Sequence, residues 1–132
     1  MSQENVETVR QVYAGWEAGD FSAGLPLLDH NVSLVIDTAA LDGGVYVGLD
    51  GVREYMTRFL SAWESLTIAG QSFRESGDTV LVQVEQAGIG SGSGARTTQT
   101  YFQLWTFRGP KVVRLETMFD EDEALNAAGL SE

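Results

Sequence analysis

Residues 97–119 read TTQTYFQLWTFRGPKVVRLETMF. Aromatic and β-branched side chains fill both halves, and Arg108-Gly109-Pro110 between them has the composition of a tight turn. The stretch therefore predicts two long antiparallel strands, Thr97 to Phe107 and Lys111 to Phe119, joined as a hairpin. Working back toward the N-terminus, Thr67 to Glu75 and Thr79 to Ile89 flank Ser76-Gly77-Asp78 and form a second such hairpin. Gly90-Ser91-Gly92-Ser93-Gly94 joins the two hairpins. It has the composition of a flexible linker, but it lies inside a meander and separates no domains.

Ahead of the meander the apolar period changes from two to between three and four. Val52, Tyr55, Met56, Phe59, Leu60 and Trp63 make one stripe, which predicts a helix from about Asp50 to Trp63. Val6, Val9, Val12, Tyr13 and Trp16 do the same for an N-terminal helix, with Ser2 as N-cap, Glu4 in the first turn and Gly19-Asp20 as the stop. A short second helix is expected over Ser22 to Leu28, although it contains Gly24 and Pro26. Asp29-His30-Asn31 then reads as a turn, Val32 to Ile36 as a short strand, and Asp37 to Gly48 as an irregular loop. Downstream of the meander, Glu121 to Ala128 reads as a last helix closed by Gly129. Helices first and a meander afterwards mean an α+β domain: three N-terminal helices packed on a curved, mostly antiparallel sheet. Helices laid across a long curved sheet cannot fill all the space beneath them, so a concave cavity is expected.

A chain of 132 residues is one domain, 1–132, with 43% hydrophobic residues and a mean hydropathy near zero. Nineteen acidic residues against eight basic ones leave a net charge of −11, which argues against nucleic acid and anionic membranes as partners. With no cysteine there is no disulfide framework, thiolate metal site or cysteine nucleophile. The polar, acidic start Met1-Ser2-Gln3-Glu4-Asn5 is unlike a signal peptide, and no apolar run has the length of a membrane span. The default expectation is a cytoplasmic protein.

Several motifs along the chain have a family look. They are Glu4-Asn5-Val6 leading to Val9-Arg10 and Tyr13, Gly19-Asp20-Phe21, and Gly48 with Gly51-Val52-Arg53-Glu54-Tyr55 opening the long helix. Trp105-Thr106-Phe107 leading to Lys111-Val112-Val113-Arg114, and the tail from Asp120 to Leu130, complete the set. On these residues the chain resembles the SnoaL-like and ketosteroid isomerase-like families of the nuclear transport factor 2-like superfamily. The resemblance implies a cone-shaped α+β barrel with a pocket for a small, largely apolar molecule. It does not imply one activity, because the superfamily spans isomerases, cyclases, hydrolases, dehydratases and proteins without catalysis.

Ketosteroid isomerases use a carboxylate base, a phenol that donates to the enolate oxygen, and a second acidic donor. The resemblance lays these roles on Asp37, Tyr13 and Gln103, the last allowing a one-residue shift in the following turn. Read from the residues, Tyr13 lies on the first helix's apolar stripe, so its hydroxyl needs a backbone, water or ligand partner. Asp37 ends an apolar strand, where a raised pKa would suit a general base; the bland alternative is a loop or capping carboxylate. Gln103 shares a strand face with Gln99, Tyr101, Trp105 and Phe107, which the resemblance turns inward. An amide is a weaker donor to an oxyanion than a neutral carboxylic acid, so milder proton transfer or ligand anchoring fits better than efficient ketosteroid isomerisation. Trp16, Phe21, Phe59, Trp63, Tyr101, Trp105 and Phe119 are the expected ligand-binding residues.

Other features read as structural. His30 sits in a polar turn, and Asp120-Glu121-Asp122-Glu123 lacks calcium-loop spacing and suits a solvated helix start. Arg53 and Arg58 lie off their helix's apolar stripe, so the Asp-Arg-Asp set of limonene-type epoxide hydrolases is not formed. No Lys or helix follows the Gly-Ser loop in the manner of a phosphate cradle. No metal, nucleotide or flavin cofactor is implied. Three functions stay open: a cofactor-independent acid–base enzyme (isomerase, cyclase or lyase) acting on a small apolar carbonyl compound, a non-catalytic ligand-binding domain, and an interaction scaffold. A homodimer is expected through the convex sheet face, with Phe102, Leu104 and Met118 buried between copies and Arg114 meeting Glu116 of its partner. The rival explanation for that face is a covering by the C-terminal helix, though its acidic start suits solvent better.

Overall fold

The computed structural model describes residues 2–40 and 42–130. Its elements are α1 (Ser2–Glu17), a single 3-10 turn (Leu25–Leu27), β1 (Leu28–Ile36), β2 (Gly44–Val47), α2 (Gly48–Ser61), β3 (Trp63–Ser76), β4 (Thr79–Gly90), β5 (Arg96–Arg108), β6 (Lys111–Met118) and α3 (Glu121–Ala128). The six strands form one sheet in the order β2-β1-β6-β5-β4-β3. Only the β1–β6 pair is parallel. The sheet is open, with β2 and β3 at its edges, so the cone is a wrapped sheet rather than a closed barrel.

The meander matches its expectation at Thr79 and Lys111, within one residue at five other ends, and within four at the start of β3. Upstream there are four differences. The expected turn Asp29-His30-Asn31 lies within β1, where pairing with β6 shifts register between Leu28 and Ser33. The second helix shrinks to its 3-10 turn because Gly24 adopts φ 97° and Pro26 supplies no N–H to an α-helical ladder. Part of the expected loop, Gly44–Val47, is instead an edge strand paired antiparallel to β1. The turn that precedes it closes through Ala40 N–H to Asp37 C=O at 2.9 Å and Gly43 N–H to Ala40 C=O at 3.1 Å. Gly43 is needed there: a Cβ would stand 2.5 Å from the Asp37 carbonyl oxygen. Finally, Trp63 belongs to β3 and not to the helix, while still facing inward. The caps expected at the chain ends divide: Gly129 closes α3 at φ 74°, whereas the Ser2 side chain lies outside the described residues, as does Leu41.

Helices α1 and α2 lie on one face of the sheet, α1 over β3 and β4 and α2 chiefly over β1 and β2. Val9, Val12 and Tyr13 of α1 join Val80, Val82 and Val84 of β4 in the main core. The other face has its own cluster, in which Leu81, Phe102, Leu104 and Met118 lie beneath Ala124 and Ala128 of α3. Asp120 starts that helix by accepting the Glu123 N–H at 2.8 Å. Its two alanines let the helix approach the sheet closely. This corrects the basis of the expected dimer: the chain's own α3 covers Phe102, Leu104 and Met118, and Arg114 bonds Glu116 of its own strand at 2.9 Å. Two apolar side chains, Val45 and Val47 on β2, remain 63% and 64% exposed on that outer side.

Candidate functional site

Between the helices and the sheet lies a cavity of about 780 Å³, a size that encloses a small organic molecule. Strand alternation builds its walls. Leu34 and Ile36 of β1, Leu115 and Thr117 of β6, and Gln99, Tyr101, Gln103 and Trp105 of β5 all point in. All seven expected ligand-binding residues line it: Trp16 and Phe21 near α1, Phe59 and Trp63 on the α2 side, and Tyr101, Trp105 and Phe119 on the sheet. Trp63 finds room because Gly88 stands opposite it, where a Cβ would come within 2.6 Å of the indole.

The three expected catalytic residues separate. Gln103 lines the cavity, while Tyr13 and Asp37 are not among its lining residues. Tyr13 is 2% exposed, and its hydroxyl sits behind the wall. There it accepts from Trp105 Nε1 at 2.9 Å and donates to Gln103 Oε1. Its one proton is therefore spent inside the protein and is not offered to a substrate oxygen. Burial pushes its pKa well above the usual phenol value, with the Trp105 hydrogen bond acting weakly the other way. What Tyr13 does is fix the Gln103 amide. With Oε1 held by the phenol, Nε2 donates to Thr117 Oγ1 at 3.1 Å and keeps a second N–H. Thr117 accepts that bond and keeps its own O–H. Gln103 and Thr117 thus place an amide and a hydroxyl side by side in the cavity lining.

Asp37 is turned away from the cavity lining for a reason of parity. Leu34 and Ile36 face the cavity, so the next residue leaves the strand on the other side. Its carboxylate accepts the Ala39 N–H at 2.9 Å and shapes the turn, which is the bland alternative noted for it. The carboxylate that does line the cavity is Asp42, at the far end of that turn. It is held there by its backbone, whose carbonyl accepts from the Tyr46 hydroxyl at 2.9 Å. No sequence pattern marks Asp42, since the turn that delivers it depends on Gly43 and on the unforeseen β2.

A second tyrosine–glutamine pair lies further along the wall. Tyr101 donates to Gln86 Oε1 at 2.8 Å, leaving the Gln86 NH₂ toward the cavity. Burial, and to a lesser degree the neighbouring Tyr55, raise the Tyr101 pKa well above 10. Tyr55 on α2 is pushed up to about 12, first by burial and then by the negative charge of Asp42. Both phenols are therefore neutral donors or acceptors at ordinary pH. Among the described residues no group of three or more His, Asp or Glu side chains could hold a metal ion, and no helix is long and apolar enough to cross a membrane.

Comparison with known proteins agrees with this architecture. TerC, crystallised with polyporic acid, is 26% identical, with a TM-score of 0.76 over 94% of this chain and 96% of that one. A nuclear transport factor 2-like protein of unknown function from Burkholderia pseudomallei K96243 superposes with a TM-score of 0.78 at 23% identity, covering 94% and 96%. A SnoaL-like polyketide cyclase, so described, from Jannaschia sp. CCS1 gives 0.76 at 19% identity, covering 99% and 94%. At those identities the last two speak for the fold alone. No curated protein sequence matches the chain. The profile of the SnoaL-like domain matches residues 9–115, most of the chain including Gln103, and the chain belongs to that family.

Proposed function

We propose that this domain binds a small, largely apolar carbonyl compound whose oxygen is gripped by Gln103 and Thr117. The single observation that carries this reading is the clamp itself. Tyr13 and Trp105 orient an amide whose remaining N–H, beside the Thr117 hydroxyl, meets a cavity lined mostly by aromatic and aliphatic side chains. A polar pair buried among apolar walls is the arrangement that fixes a ligand's orientation. That TerC was crystallised with polyporic acid supports a small organic ligand. Fluorescence titration is the direct test, because Trp16, Trp63 and Trp105 all line the cavity. A panel of aromatic ketones and quinones, polyporic acid included, is expected to quench emission in a saturable way. Gln103→Leu is expected to weaken binding about tenfold, the value of a buried hydrogen bond lost with its partner left unpaired. Unchanged affinity in that variant, or no quenching across the panel, would remove the proposal.

A second reading, acid–base catalysis, is favoured by one observation: Asp42 brings a carboxylate to the same cavity. In that role Asp42 takes a proton from the carbon next to the carbonyl. The electron pair moves onto the oxygen, where Gln103 and Thr117 donate to the enolate, and the proton returns to carbon. Exchange of ketone α-hydrogens in deuterated water, read by mass spectrometry, is then lost in Asp42→Asn and kept in Asp37→Asn.

A further inference from the structure

The end of the cavity away from the clamp has a different chemistry. Along α2 and into β3 runs a row of rings: Tyr46 to Tyr55 at 5.1 Å between centroids, Tyr55 stacked on Phe59 at 5.8 Å, and Phe59 to Trp63 at 6.3 Å. Facing it from the sheet is the edge-to-face pair Tyr101 and Phe119, at 5.8 Å. Tyr55, Phe59, Trp63, Tyr101 and Phe119 all line the cavity, and so does Asp42. No Lys, Arg or His is among the lining residues. Within the described residues neither the Asp42 carboxylate nor the Tyr55 hydroxyl has a hydrogen-bond or ion-pair partner.

We propose that this end of the cavity receives a positively charged nitrogen of the ligand, an alkylammonium group set against Asp42 and the faces of Tyr55, Phe59 and Trp63. The proposal rests on the binding reading above and names the second half of the ligand. Ring faces are electron-rich and attract a cation within about 6 Å of their centroids. The row already does so on its outer side, where the Arg58 guanidinium carbon lies 5.6 Å from the centre of Tyr46. A lone carboxylate in a partly desolvated wall is satisfied by a cation and repelled by an anion. The net charge of −11 adds to the field that draws a cation in. Proximity of Asp42 to Tyr55 also appears in the raised pKa of that phenol. An Asp42 held against a cation is a poorer base, so the inference deepens the binding reading and weighs against proton transfer.

Three probes sharing a benzophenone ketone separate the two ideas: para-benzoylbenzyl-trimethylammonium, its neutral isostere para-neopentylbenzophenone, and the anionic para-benzoylbenzoate. Cation–π and ionic attraction together predict that the ammonium binds about tenfold to a hundredfold more tightly than the isostere, with the carboxylate weakest. Asp42→Asn and, separately, Tyr55→Leu are expected to shrink that preference, read in each variant as the ratio of ammonium to isostere affinity. Gln103→Leu is expected to weaken all three probes alike and keep the preference. Equal affinity for ammonium and isostere overturns the inference while leaving the carbonyl clamp standing. Binding of none of the three removes both. A preference that survives in Asp42→Asn and in Tyr55→Leu also overturns it, since the cation would then be held elsewhere.

Discussion

Tyr13→Phe tests whether the phenol is a structural strut for Gln103. The substitution keeps the ring, which packs edge-on against Trp16 and Phe73, and removes only the oxygen. Two groups then lose their partner. The Trp105 indole N–H, on a residue 1% exposed, has no route to water. An unpaired buried donor of this kind costs about 1–3 kcal/mol. The Gln103 carbonyl faces the cavity wall and can take a water, so it adds less, and the total comes to about 2–4 kcal/mol. Urea unfolding followed by tryptophan fluorescence measures this. For a domain of this size the midpoint is expected to fall by roughly 1–2 M with the slope unchanged. The double variant Tyr13→Phe/Gln103→Leu supplies the control. Gln103→Leu alone strands the Tyr13 proton, so the double variant is expected to be less destabilised than the sum of the singles by about 1–2 kcal/mol. A shift under about 0.5 kcal/mol for Tyr13→Phe, or strict additivity in the cycle, would refute the network. Ligand binding then reads the same strut: loosening the Gln103 amide in Tyr13→Phe is expected to weaken affinity for the ketone probes.

Alkaline pH is the second lever. Tyr13, Tyr55 and Tyr101 all have pKa values raised above 10 in the folded chain, so the native state keeps protons that the unfolded state releases. Their contribution is complete below pH 10 and is lost as pH climbs through 10 toward the folded values, about 12 for Tyr55. Tyrosinate absorbance of the native protein is expected to lag that of the urea-unfolded chain, and coincident curves would contradict the burial of these hydroxyls. The outer sheet face supplies the third test. Leu104, 2% exposed under α3, is expected to lose about 2–5 kcal/mol of stability as Leu104→Ala, whatever the oligomeric state. The homodimer remains a proposal, moved to Val45 and Val47 beside half-buried Val35. Sedimentation equilibrium is expected to show a dimer that Val45→Glu/Val47→Glu splits, and a wild-type monomer of 14.3 kDa would dismiss it.

Local chemistry by itself determined the meander, the two long helices and the final helix. Residue alternation, a stripe at helical spacing and a glycine stop are all read within a few turns of chain. The same alternation identified the inward face of β5, and with it the aromatic lining and Gln103. It also carried the answer for Asp37, because Leu34 and Ile36 point in and the next residue must point away. Tertiary structure decided the rest. Tyr13 and Gln103 are 90 residues apart, and only packing of α1 against the sheet reveals that the phenol's proton goes to the amide. Asp42 reaches the cavity through a turn closed by backbone bonds and an edge strand of four residues, too short to announce itself. Phe102, Leu104 and Met118 look like an open apolar face in sequence. A face is open only until something covers it, and only packing decides that α3 does so, with Ala124 and Ala128 set four residues apart on its inner side.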